Sequence, residues 1–113
     1  MIIMPLKVTL KRKKHIILQL AQILEAKSKE LQKISSSLKD DLFFLFNNLN
    51  LRHNNVDPSN KGKYKRIVSE LDRGQLEHWY DETYQMCLLA FMELEQAERK
   101  KAFDEFKKQI IEG

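Results

Sequence analysis

The chain reads as an all-α protein, a small helical bundle built on one long or serine-broken N-terminal helix and a long C-terminal helix, with a short extended N-terminal arm. Three observations predict this. Ile17, Leu24, Leu31, Leu38 and Leu45 recur at steps of seven, which places them on one stripe of a helix. Three Gly and two Pro in 113 residues are too few for the many tight turns of a sandwich or barrel. The densest turn chemistry sits in one place, Arg52 to Gly62 (RHNNVDPSNKG), which reads as the main loop. A chain of this length predicts a single helical domain over 1–113.

The elements follow in order. Residues 1–13 form an expected extended basic arm, because Leu6, Val8 and Leu10 alternate with Lys7, Thr9 and Lys11, a period of two. The stretch 14–50 is one long helix, or a pair over 14–34 and 37–50 if Ser35, Ser36 and Ser37 break it; Ser37 and Asp40 stand close to a capping-box spacing. The seven-residue rhythm continues through the serines without a slip, which favours one helix. Leu42, Phe43, Phe44, Leu45 and Phe46 are apolar on every side, so this segment is expected to be buried all round. A loop over 51–62 leads to a short helix over 63–72, in which Tyr64, Ile67, Val68 and Leu71 share a face. Asp72 is then an N-cap with Gln75 as its box partner. It opens a helix or helix pair over 73–112 with Leu76, Tyr80, Thr83, Cys87, Ala90 and Leu94 on one face. Beyond Glu98 the phase changes to Phe103, Phe106 and Ile110. The charged run Glu98–Lys101 is either a bend or a continuation that turns a new face towards a partner.

Composition narrows the function classes. Cys87 is the only cysteine. It permits no internal disulfide and points to a reducing, cytoplasmic compartment. No apolar run approaches the ~20 residues of a membrane span, and no signal-peptide pattern is expected at the start. The net charge of +4 conceals an asymmetry. Residues 1–66 hold 14 Lys/Arg against 5 Asp/Glu, whereas residues 67–113 hold 6 against 11. The basic half carries two clusters, Lys7, Lys11, Arg12, Lys13 and Lys14, and Lys61, Lys63, Lys65 and Arg66. These are the candidate nucleic-acid contacts, unless the two halves attract each other or the charges simply face water. Neither a Gly-rich phosphate loop nor a nucleophile elbow is present. Glu77, His78, Asp81 and Glu82 have no second cluster to complete a metal shell. No metal, cofactor or small-molecule substrate is therefore expected. The expected partners are another protein or a second copy of the chain, with nucleic acid as a further class. Phe43, Phe44, Phe46, Trp79 and Phe91 are the candidate partner-binding anchors, because aromatics carry most interface energy. The leading expectation is a non-enzymatic interaction protein of accessory, adaptor or inhibitor type.

Two resemblances stand beside this reading. The alternation over Pro5–Lys11 resembles the start of ribbon-helix-helix DNA-binding proteins, which would make Lys7, Thr9 and Lys11 outward readers of the major groove. Arg73-Gly74-Gln75-Leu76-Glu77-His78-Trp79-Tyr80, an Arg-x4-His-x-Tyr pattern, resembles the motif of HEPN-domain proteins, small all-α dimers that include metal-independent endoribonucleases. That resemblance implies His78 as the group moving a ribose 2′-hydroxyl proton. It implies Arg73 as the guanidinium holding the scissile phosphate, and Tyr80 as an accessory residue.

Overall fold

The computed structural model describes residues 8–113. The described residues form five helices and no strand: α1 (Leu10–Ala26), α2 (Ser28–Ile34), α3 (Ser36–Asn48), α4 (Arg66–Ser69) and α5 (Arg73–Glu112). The all-α class and the long C-terminal helix are as expected. The extended arm is corrected where it can be seen. Thr9 is the N-cap of α1, its hydroxyl oxygen accepting the Arg12 N–H at 3.1 Å, so Leu10 to Lys13 are helical. The rest of the arm, Met1–Lys7, lies outside the described residues. The physical reason is that Leu10, Lys13, Ile17, Ala21 and Leu24 repeat at three and four residues, and the four from Lys13 to Leu24 are buried. A helix that buries this stripe outweighs a strand of two or three alternations with no partner.

The stretch 14–50 is broken twice. Lys27 leaves the helical ladder for one residue (φ −107°, ψ 14°), and α2 resumes at once, with Leu31 N–H donating to the Lys27 carbonyl at 3.0 Å. Ser35 then adopts an extended φ of −153° and reverses the chain. The serine break is real, but α3 starts at Ser36 with no side-chain cap, so the Ser37–Asp40 spacing is not used as a capping box. The rhythm changes phase here. Ile17, Leu24 and Leu31 are buried in α1 and α2, whereas α3 buries Leu42 and Phe46 and leaves Leu38 and Leu45 only partly covered. The segment Leu42–Phe46 is not buried all round, since Phe44 is 64% exposed.

The helices make a three-rod bundle. Lys13 of α1 meets Asp81 of α5, and Ile34 of α2 lines a cleft with Leu94 and Ala97. The α1–α2 rod therefore runs parallel to α5. The chain returns along α3, and Tyr80 donates its hydroxyl to the Asn50 carbonyl at 3.1 Å, so α3 is antiparallel to both. Leu42, Phe46, Leu49 and Leu51 complete the core against Tyr80, Cys87 and Ala90.

The connection from 49 to 65 is longer than expected, because only Arg66–Ser69 is helical between the loop and α5. Its organiser is Asn55, which is fully buried. Asn55 Nδ2 donates to the carbonyls of Asn47 (3.2 Å) and Lys63 (2.6 Å), and its Oδ1 accepts the Asn50 N–H at 2.7 Å. Asn50 holds φ at +55°, a left-handed conformation that asparagine tolerates better than most residues. At Asp72 the expected capping box is present in both directions: Gln75 N–H donates to Asp72 Oδ1 (2.8 Å), and Asp72 N–H donates to Gln75 Oε1 (2.9 Å).

Helix α5 continues without interruption through Glu98–Lys101. Forty residues at 1.5 Å each give about 60 Å, which accounts for most of the molecule's longest extent of 65 Å. The bundle covers only its first part, and every residue from 98 to 113 is exposed.

Candidate interaction surfaces

Beyond Ala97, α5 is a bare rod of about four turns. Its side chains are not those of a solvated helix. Phe103 is 57% exposed, Phe106 59%, Ile110 64% and Ile111 74%. Nearer the bundle, Leu89 and Met92 are 46% and 65% exposed. At 100° per residue, Leu89, Met92, Phe103, Phe106 and Ile110 fall within an arc of about 100°, on the side of α5 opposite Thr83, Cys87 and Ala90. Helix α5 thus has two apolar faces, one spent on the bundle and one open. Three ion pairs within α5 brace the rod: Arg99–Glu95 at 2.7 Å, Lys100–Asp104 at 2.6 Å and Lys101–Glu98 at 3.5 Å. Each is solvent-exposed and contributes about 0.3–0.5 kcal/mol at most. Leu89, Met92, Glu93, Glu95, Gln96 and Arg99 border a shallow groove of about 290 Å³ on the open face.

The five anchors expected from sequence divide. Phe46 is wholly internal. Phe43 is half-buried and capped by cations, with Lys39 Nζ 5.0 Å and the Arg52 guanidinium 5.7 Å from its ring centre. Phe91 is half-buried against the core. Phe44 and Trp79 reach solvent, at 64% and 45% exposure. Phe103, Phe106 and Ile110 were legible as a change of helical phase, but nothing in a single sequence marks the new face as open.

The basic residues gather at the end of the bundle away from the rod. Lys11 and Arg12 lie in the first turn of α1, which abuts the start of α5. Lys61, Lys63 and Lys65 lie in the loop tied by Asn55 to the end of α3. All five are exposed, as is Arg66, which is engaged by Glu70 at 3.0 Å. Lys14 is half-buried, and Lys7 lies outside the described residues. Lys13 differs from the others. It is fully buried, with Nζ 2.8 Å from Asp81 and 3.7 Å from Glu77, and offers nothing to a phosphate.

Arg73, His78 and Tyr80 do not converge within one chain. Arg73 and His78 are both exposed, but they stand five positions apart and their side chains leave α5 about 140° apart. His78 stacks edge-on against Trp79, ring centres 5.2 Å apart. Tyr80 is 1% exposed and committed to the Asn50 carbonyl, and burial pushes its pKa up to about 12. Cys87 is likewise buried, its thiol pushed up to about 12 by desolvation. Compared with protein-family models, with curated proteins and with solved structures, the chain matches none. No helix among the described residues is long and apolar enough to cross a membrane.

Proposed function

We propose that this protein works as a non-enzymatic helical interaction protein, of adaptor, accessory or inhibitor type, that presents the open face of α5 to another polypeptide. The observation that carries this reading is the rod itself: four large apolar side chains, each more than half exposed, on the last turns of α5, which have no packing partner among the described residues. Solvated helices have no use for such residues, and a contiguous exposed apolar stripe marks a docking surface. The lone buried thiol suits a reducing compartment. The test is a photo-crosslinking amino acid at Phe103 in cells making the full chain. A discrete polypeptide adduct, lost when Phe106→Asp is added, supports the reading. Absence of any adduct from a folded protein overturns it.

The convergence of Lys11, Arg12, Lys61, Lys63 and Lys65 at the opposite end favours a second contact there, with nucleic acid or an acidic protein. Nucleic-acid binding requires an affinity that falls linearly in log–log form with salt. A salt-independent affinity, or no binding at low salt, rules it out.

A further inference from the structure

Resting on the interaction reading, we propose that the open face of α5 pairs antiparallel with the same face of a second copy, around a twofold axis between Ala97 and Glu98. The argument is self-complementarity. Along the open face, residues alternate at three and four: Leu89, Met92, Gln96, Arg99, Phe103, Phe106, Ile110. Two apolar patches flank a polar centre. A twofold interface brings each surface against its own copy in reverse order, so the register is set by which residues meet. Sliding the helices until paired numbers add to 195 puts Phe106 of a second copy on Leu89, its Phe103 on Met92, and its Arg99 beside Gln96. Polar then meets polar at the axis, and aromatic meets aliphatic on both sides. One heptad further along, at 202, Phe106 would face Gln96 and Phe103 would face Arg99, burying polar groups against rings. One heptad back, Arg99 would sit on Leu89.

Charge agrees with the same register. In an antiparallel pair the flanking positions on one side of each seam face one another. Register 195 sets Glu93 against Lys100 of the second copy, twice by symmetry. On the other flank Glu95 faces Ala102. The overlap from Gln85 to Ile110 is about 38 Å long. Each exposed rod is thereby laid along the bundle-supported part of the other copy's α5, with the groove at Leu89 and Met92 receiving the aromatic rings. The surface left bare in one chain is the surface that the second copy covers.

The experiment measures the solution mass of the full chain by light scattering or sedimentation equilibrium over a concentration series. The expected result is a dimer of twice the 13.5 kDa chain mass. Phe103→Asp with Phe106→Asp is expected to give a folded, helical monomer whose Tm no longer depends on protein concentration, because neither residue belongs to the core. Glu93→Lys alone and Lys100→Glu alone are each expected to raise the dimer Kd on the order of tenfold through like-charge juxtaposition, and the double swap to restore it. A monomeric wild-type chain overturns the pairing. So does a dimer indifferent to these charges or not rescued by the double swap. The crosslink at Phe103 separates the two proposals: a monomer with an adduct to a different polypeptide sinks self-pairing alone, and a monomer without any adduct sinks both.

Discussion

Lys13 is the residue whose replacement discriminates best between accounts of what holds the bundle together. Its ammonium is fully buried between α1 and α5, 2.8 Å from Asp81 and 3.7 Å from Glu77, while both carboxylates keep about a third of their side-chain surface in water, at 35% exposure. That asymmetry sets the order of effects. Removing one partner of a fully buried pair costs about 3–5 kcal/mol, because a charge is left unpaired in a low dielectric. Asp81→Ala strands the buried side of the pair, but Glu77 remains as a more distant acceptor, so we expect a loss of about 2–3 kcal/mol. Lys13→Met removes the buried charge and keeps its apolar stem, and the two carboxylates left behind can hydrate. The expected loss is about 1 kcal/mol or less. In a domain of this size the first corresponds to a fall in Tm of roughly 8–12 °C and the second to about 4 °C. Chemical denaturation of both variants at neutral pH, followed by far-UV circular dichroism, gives the comparison directly. If Lys13→Met is the more damaging of the two, or the variants are equal, burial of the ammonium is not what sets the energetics of this contact.

Two further perturbations test the loop and the core. Asn55→Ala leaves the carbonyls of Asn47 and Lys63 and the N–H of Asn50 without their side-chain partner; a loss of about 2–3 kcal/mol is expected, and a loss below half of that in urea denaturation shows that water replaces the network. Tyr80 and Cys87 have folded pKa values near 12 against ordinary values of 10.0 and 9.0, so between those limits the unfolded chain gives up protons that the folded chain keeps, and stability falls as pH rises. Tyr80→Phe should therefore cost about 1 kcal/mol at neutral pH through the lost bond to Asn50, and that deficit should close above pH 10; a deficit constant to pH 12 contradicts the assigned burial.

The sequence made the helices readable but left their contacts hidden. Ile17, Leu24 and Leu31 announce an amphipathic rod, and Asp72 with Gln75 announces the start of α5, because periodicity and capping are local properties of the chain. The reversal at Ser35 was only one of two options, since serine is compatible both with a cap and with a helix interior. Phe44 and Phe46 differ by two residues and are equally apolar, yet one is exposed and the other internal; which of two helical faces is covered depends on where the returning helix lies. Lys13 could not be told from Lys11, Arg12 or Lys14, because its partner Asp81 is 68 positions away. The opposite charge of the two halves was the legible signal there, and at Lys13, Glu77 and Asp81 the two halves do meet. Asn55 sits in a stretch whose composition reads as loop, but loop composition does not say which asparagine is inside.

The long helix poses a physical question whose answer bears on function. An isolated helix of about 15 residues is marginal in water, because forming its first turn fixes many dihedrals for one hydrogen bond. Residues 98–112 escape that cost. The capping box at Asp72 and the packing of Leu76, Tyr80, Cys87 and Ala90 hold α5 helical from its first turn, so the rod only has to propagate, adding one backbone hydrogen bond per residue fixed. The bundle thus acts as a nucleus for a helix that it does not cover. A surface made in this way is ordered before it meets anything, and the ordering entropy that a disordered segment loses on binding has already been lost in folding. Interrupting α5 at its junction with the bundle, for instance by Ala97→Pro, should therefore weaken docking through Phe103 and Phe106 while leaving both side chains in place, which ties the affinity of the rod to the integrity of the bundle behind it.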